Sequence, residues 1–142
     1  MGLDCRIAGR FLHAGPGFGG SCFPKDTAAL TAIGQRHGAP IRIVETVIEV
    51  NEARKRSMAA KVVAACGGSL AGKTVAVLGL TFKPNTDDMR EAPSLVIVPA
   101  LAAQGARVRA YDPHGMEEAG KLMPRLEIAA DPTFASRARM GW

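Results

Sequence analysis

The hydrophobic pattern splits the chain into a helical first half and a second half in which strands and helices alternate. From Asp26 the spacing turns helical, with Ala28, Ala29, Leu30 and Ile33 on one face and a close at residues 34–38. Pro40 stands where a proline opens a helix, and Ile41, Val44, Val47, Ile48, Met58, Val62 and Cys66 then follow helical spacing. Gly67 and Gly68 end that run. A helix so long, apolar on more than one face, has to pack on a core or on another subunit.

Residues 69–72 read as a linker. Residues 73–80 form a continuous apolar run of strand length, which predicts a strand covered on both faces. A loop follows over 81–91. Pro93 and Ser94 open a helix to Gln104, Gly105 closes it, and Pro99 inside it predicts a kink. Residues 107–111 form a second strand, ended by Asp112 and Pro113; strand, helix and strand make a βαβ unit. Residues 114–126 are expected to be helical and 127–130 to form a short third strand. The tail, 131–142, reads as neither strand nor amphipathic helix, and no internal repeat is present. The predicted class is α/β, a long central helix followed by a partial Rossmann-like domain with a parallel sheet, divided as 1–68 and 69–142.

Composition narrows the chemistry. With 142 residues and 47% hydrophobic content, the chain can bury one real core. Aromatic residues make up only 5%, too few for a single-strand stacking platform. The net charge of +5 is spread out, with no run dense enough for a nucleic-acid patch. No apolar stretch has transmembrane length. The three cysteines, Cys5, Cys22 and Cys66, form no CxxC pair and no zinc-spaced cluster. An odd cysteine count without a signal peptide predicts a reducing, cytoplasmic setting.

Gly15, Gly17 and Gly20 match the letters G-x-G-x-x-G. That fingerprint works only between a buried strand and a helix, and residues 10–14 make a poor strand. These glycines are read instead as places where backbone comes close to a ligand. The βαβ unit has an architecture suited to a nucleotide, and Asp112 stands where a ribose-binding acid would. Its first loop is glycine-poor and carries Lys83 and Arg90, which suits a nucleotide held by cationic side chains. A solvated loop on an unrelated α/β domain reads equally well from pattern alone.

Cys22 is the most informative residue. It lies in a glycine-rich loop just before a helix, where the helix N-terminus and Lys25 both favour the nucleophilic thiolate. Asp26, four residues on, is placed to accept a proton or orient water, although its charge opposes the thiolate. Cys5 and Cys66 are read as structural.

Two runs carry a resemblance. The first contains Gly2, Leu3, Asp4, Arg6 and Ile7, then Phe11, Leu12, Ala14, Gly15, Gly17, Phe18, Gly19, Gly20, Ser21, Cys22, Phe23, Pro24, Lys25 and Asp26. It resembles the active-site segment of UDP-glucose 6-dehydrogenases. The second runs from Gly79 through Phe82, Lys83, Thr86, Asp87, Asp88, Arg90 and Glu91 to Tyr111, Asp112 and Pro113. It resembles the UDP-binding domain of the same family, and a long helix separates the two runs as it does there. The resemblance covers residues 2 to about 128; relatives acting on GDP-mannose or UDP-N-acetylmannosamine share the plan with different cysteine segments.

The resemblance implies oxidation of the C6 alcohol of UDP-glucose to a carboxylate with two NAD⁺. It implies that Cys22 forms a thiohemiacetal and then a thioester, with Asp26 handling the proton or the water. Arg6, Phe11, Leu12, Gly15, Gly19, Phe82 and Lys83 would contact the sugar nucleotide, Arg6 across a subunit boundary. Lys25 and Arg90 would face NAD. Residues 1–68 would hold the catalytic cysteine and the central helix, residues 69–142 would form the UDP-binding domain, and the helix would make a homodimer or higher assembly. The family's NAD domain, a catalytic lysine and asparagine, and a later substrate-binding arginine have no counterpart here. The expectation is therefore a partial chain, inactive by itself. The alternative is a non-catalytic nucleotide-binding or oligomerisation module, which has no need of a reactive Cys22.

Overall fold

The computed structural model describes residues 2–6, 9 and 12–136. Helix α1 (Phe23–Arg36) is followed by α2 (Arg42–Ala65), strand β1 (Thr74–Leu78), α3 (Ser94–Ala103), β2 (Arg107–Tyr111), α4 (Met116–Leu122), β3 (Glu127–Ile128) and α5 (Pro132–Ser136). The three strands form one parallel sheet in the order β1-β2-β3, with Thr74 opposite Arg107, Leu78 opposite Tyr111 and Arg109 opposite Glu127. The chain is thus an α/β protein with a long helix ahead of a parallel sheet.

The helix stops have one chemical form. Gly38, Gly67 and Gly105 adopt left-handed φ values of 66°, 78° and 85° one residue past the helix caps. The next residues, Ala39, Gly68 and Ala106, donate their N–H back to the carbonyls of Gly34, Val63 and Leu101. This six-to-one closure satisfies carbonyls that the helix leaves open, at a φ that only glycine takes without cost.

The core lies between α3 and one face of the sheet. Val108 and Ala110 are buried there, opposite Val75 and Val77, with Leu80, Met89, Val98 and Leu101 around them. The other sheet face is only partly covered. β1 alternates exposed and half-buried residues, and Leu78 stays 61% exposed, so the strand is not covered on both faces as the unbroken apolar run predicts. On that face Glu127 holds the guanidinium groups of Arg107 and Arg109 at 2.7 and 2.8 Å. The ring of Phe134 on α5 lies 5.4 Å from Arg109, so part of the tail read as irregular is a short helix held by this cation.

Four further expectations are corrected. Pro40 lies outside α2, which begins at Arg42 after Ile41 as its cap. The α1 face named from spacing is exposed: Leu30 and Ile33 face outward, while Thr31 and Gly34 are buried. Small residues win there because Gly34 packs against the Ala39 carbonyl and Ile41, where a Cβ would come 2.6 Å from that oxygen. α3 runs through Pro99 without interruption, with Pro99 on its exposed side. The fourth helix covers only Met116–Leu122.

The buried seam of α2 is polar. Asn51, Lys55 and Ala59 are its buried residues. The Lys55 side chain is 2% exposed, and its ammonium meets Glu52 at 2.9 Å. A buried ammonium without a counter-charge is far costlier than the pair itself. Glu52→Gln should therefore lower the unfolding free energy by about 2 kcal/mol, discounted because Glu52 is partly in water. Urea denaturation checks this, and an unchanged midpoint would show that Lys55 has no need of Glu52.

Candidate active site

The loop over residues 15–22 is held from two sides. On the α2 side, Asn51 accepts from the Phe18 N–H at 2.8 Å and donates to the Phe18 carbonyl at 3.2 Å. Arg54 Nε donates to the Gly15 carbonyl at 3.2 Å. On the sheet side, the Gly20 N–H donates to the Arg90 carbonyl at 2.8 Å. Gly19 and Gly20 are buried, and both need to be glycine. A Cβ on Gly19 would overlap the Glu91 carbonyl; one on Gly20 would come 2.7 Å from the Phe82 ring, at a φ of 88°.

This clamp delivers Cys22 to the start of α1. Cys22 is the N-cap residue, exposed, with Phe23 and Pro24 as the first helical residues. No side chain caps this end, so the positive end of the helix lies open beside the sulfur. The sulfur stands 3.8 Å from Ser21 Oγ. The Asp26 N–H donates to the Cys22 carbonyl at 2.8 Å, so the carboxylate sits one turn further along. Cys22 and Asp26 line one cleft of about 350 Å³ together with Leu30 and Val44.

A second cleft, of about 600 Å³, opens on the other side of the loop and is lined by Gly20, Lys25, Lys55 and Arg90. Both exposed cations are partnered. Lys25 meets Asp26 at 3.0 Å; that hydrogen bond, then the charge of Asp26 and the neighbouring Cys22, raises its pKa. Arg90 grips Asp88 through Nε and Nη2 at 2.9 and 2.7 Å. The fork raises the pKa of Arg90 and holds that of Asp88 at about 2.

The third cleft, about 540 Å³, lies at the carboxyl ends of β1 and β2, where open α/β sheets take ligands. Phe82 and Lys83 form its wall, the ammonium 5.1 Å from the ring centre, and Pro16 and Gly17 reach it from the cysteine loop. Asp112 is at its floor. Its carboxylate accepts from the N–H groups of Leu80, Thr81, His114 and Gly115 at 2.7, 3.2, 2.8 and 2.8 Å. Burial pushes its pKa up, but these donors outweigh burial and bring it down to about 2. The reading of Asp112 as a ribose-binding acid is thereby replaced: it is a backbone clasp joining the two strand-end loops.

The structure thus brings Gly19, Cys22, Asp26, Lys25, Arg90, Phe82 and Lys83 around one loop. Gly15 lines a fourth cleft beside α2, with His13 and Arg54. Leu12 is half exposed ahead of the loop. Arg6 stands apart, exposed, with its guanidinium on Asp4 at 2.7 Å. Phe11 lies outside the described residues. Sequence reasoning missed Asn51, Glu52, Arg54 and Lys55. The available signal was the polar run at 51–56, which interrupts the apolar pattern of α2.

Two family models match this chain. The UDP-binding domain of the UDP-glucose/GDP-mannose dehydrogenase family matches residues 76–138, and the central domain of the same family matches residues 1–53. The chain belongs to the UDP-glucose/GDP-mannose dehydrogenase family. Among its relatives, UDP-glucose 6-dehydrogenase of Rhizobium meliloti is 60% identical over 136 residues, 96% of this chain and 31% of that protein. UDP-glucose 6-dehydrogenase TuaD of Bacillus subtilis is 50% identical over 123 residues, 87% of this chain and 26% of that protein. The solved UDP-glucose dehydrogenase of the archaeon Pyrobaculum islandicum superimposes with a TM-score of 0.83 at 42% identity, covering 94% of this chain and 31% of that one. The chain therefore spans about a third of the length of the relatives it matches. Among the described residues, no helix is long and apolar enough to cross a membrane.

Proposed function

We propose that this chain carries the nucleophilic cysteine and the nucleotide wall of an NAD-dependent UDP-glucose 6-dehydrogenase. The observation that carries this reading is the clamp itself: Gly19 and Gly20, packed on Glu91 and Phe82, set the loop that leads into Cys22 against the Phe82 ring, whose residue also walls the strand-end cleft with Lys83. In this reading the uridine diphosphate occupies the strand-end cleft and its sugar reaches towards Cys22. Relatives named for UDP-glucose, the first at 60% identity, support that sugar over others.

Cys22 then forms a carbon–sulfur bond to the C6 aldehyde, and the carbonyl oxygen takes up a proton. Loss of a hydride from C6 and of the hydroxyl proton from this thiohemiacetal leaves a thioester. Water attacks the thioester, the carbon–sulfur bond breaks, and the thiol returns as the carboxylate leaves. Asp26, exposed one turn along α1, orients that water and takes its proton. The intermediate aldehyde is never released.

NAD⁺, when bound, supplies the electron acceptor for each of the two oxidations. The residues here fit only its edge. Lys25 and Arg90 are exposed cations beside Cys22, suited to an anionic ligand. Among the described residues, the glycine run at 15–20 follows coil rather than a strand, so it lacks the strand–turn–helix setting of a dinucleotide site. The exposed Ile43, Val47 and Val50 on α2 support a homodimer or higher assembly through that helix, and Arg6, exposed and paired with Asp4, would turn to a neighbouring subunit's substrate. Three free cysteines suit a cytoplasmic enzyme.

Thermal unfolding of the purified chain tests the reading. A ligand that binds only the folded state stabilises it by about 2.7 kcal/mol at a hundred times its Kd. UDP and UDP-glucose should each raise the midpoint, while GDP-mannose and NAD⁺ should not. Stabilisation by NAD⁺ alone would show the strand-end cleft to be misread, and no shift with any ligand would remove the nucleotide site.

A further inference from the structure

Lys55 is a buried charge to which the proposed chemistry gives no role. Its stem packs on Gly17, where a Cβ would come 2.8 Å from Lys55 Cγ. Its ammonium lies 2.9 Å from Glu52 and 3.4 Å from the Glu91 carbonyl. Glu91 is the unusual partner. Its φ of 51° is left-handed, a conformation that costs a residue with a side chain about 1–3 kcal/mol and persists only where the surroundings impose it. Its carbonyl fills the space that a Cβ on Gly19 would need.

We infer that Lys55 is a positioning residue: bridging α2 and the 89–92 loop, its ammonium holds the Glu91 peptide in its left-handed form and so sets the Cys22 loop against the Phe82–Lys83 wall. The inference deepens the proposed function, resting on Cys22 as nucleophile and on that wall as nucleotide site.

The connections run in one direction. Lys55 holds Glu91, and Glu91 faces Gly19. The Arg90 carbonyl, one residue back, receives the Gly20 N–H. Gly20 in turn lies on the Phe82 ring. If the Glu91 peptide turns over, the Gly19–Gly20 segment loses both its stop and its hydrogen-bond partner, while the strands and α3 are untouched. Stability alone does not call for a charge here, because an apolar residue of similar volume is commonly neutral or stabilising in place of a buried ion pair.

Amide hydrogen exchange on the whole ¹⁵N-labelled chain provides the test, with Lys55→Met keeping the stem and removing the donor. Exchange at the Gly20 amide should rise about tenfold, while the amides of β1 and β2 keep their protection. Lys55→Arg restores a cationic donor and should recover most of the Gly20 protection. Lys55→Gln, one atom shorter and uncharged, should show the same selective loss and serves if Lys55→Met does not fold. Unchanged Gly20 exchange in the folded variants overturns the inference. So does a loss spread evenly over the sheet amides, which would make Lys55 a stability residue only. UDP added to the wild-type chain separates the two readings: failure to bind UDP removes the nucleotide assignment and leaves the Gly20 result to be judged by itself.

Discussion

Replacing Asp112 by alanine should lower the unfolding free energy by about 4 kcal/mol and abolish UDP binding. Four backbone N–H groups from two loops converge on this carboxylate, which is 3% exposed. Alanine leaves them all without their partner, and the Leu80 and Gly115 donors are the most enclosed. The Gly79–Lys83 loop then loses the hydrogen bonds that tie it to residue 112, and the Phe82–Lys83 wall is lost with them. Charge matters as well as shape. The folded pKa of Asp112 is about 2 against an ordinary 3.8, so the folded state prefers the ionised form. That preference adds about 2 kcal/mol of stability at neutral pH, fully present above about pH 4 and lost as the pH falls towards 2. Urea titrations at pH 7, 4 and 2.5 should show this loss in the wild-type chain. Asp112→Asn should be less stable at pH 7 and should lack this component of the acid dependence. Equal acid dependence in the two proteins would show that Asp112 is not the group responsible.

Asp112 also marks where the sequence stops being legible. A carboxylate at the end of β2 reads the same whether it faces a ribose or its own backbone. Only the spacing of four N–H groups around it separates the two, and that spacing is set by the return of β1 alongside β2. The elements themselves were legible because their ends are punctuated. Gly38, Gly67 and Gly105 close three helices by one hydrogen-bond pattern, and Asp112 with Pro113 ends β2 at the predicted residue. Burial was less legible. Apolar spacing put Leu30 and Ile33 inside, yet the buried residues of α1 are Thr31 and Gly34, the latter close against the Ala39 carbonyl and Ile41 that lead into α2.

The cysteine loop shows the same limit from the other side. The type of residue at Cys22 and its place before a helix were visible in the glycine-rich run. Its support was not, because Asn51 and Lys55 are polar residues at positions where a helical pattern calls for apolar ones. They are buried because the loop they serve presents backbone groups, not side chains, and a backbone amide or carbonyl taken from water needs a polar partner. A polar interruption in an otherwise apolar helix is therefore the feature to examine when a glycine-rich loop precedes it.

Placed in a whole enzyme, Cys22→Ser should lower NAD⁺ reduction with UDP-glucose by about a thousandfold or more. The host can be the Rhizobium meliloti enzyme, which aligns with 136 residues of this chain at 60% identity and can receive them as a block. A hydroxyl is close in size to the thiol, and Cys22 is exposed, so folding and the clamp at Gly19 and Gly20 are preserved. What it lacks is an ionised form at neutral pH, and with it the nucleophile that captures the aldehyde. UDP affinity should stay within about twofold, since Cys22 and the Phe82–Lys83 wall line different clefts. Loss of turnover with retained UDP binding places the defect in the chemical step. Normal turnover in the serine variant would remove Cys22 from the mechanism and favour a chain that binds nucleotide without acting on it. Loss of UDP binding together with turnover would mean that the thiol supports the nucleotide site rather than the reaction.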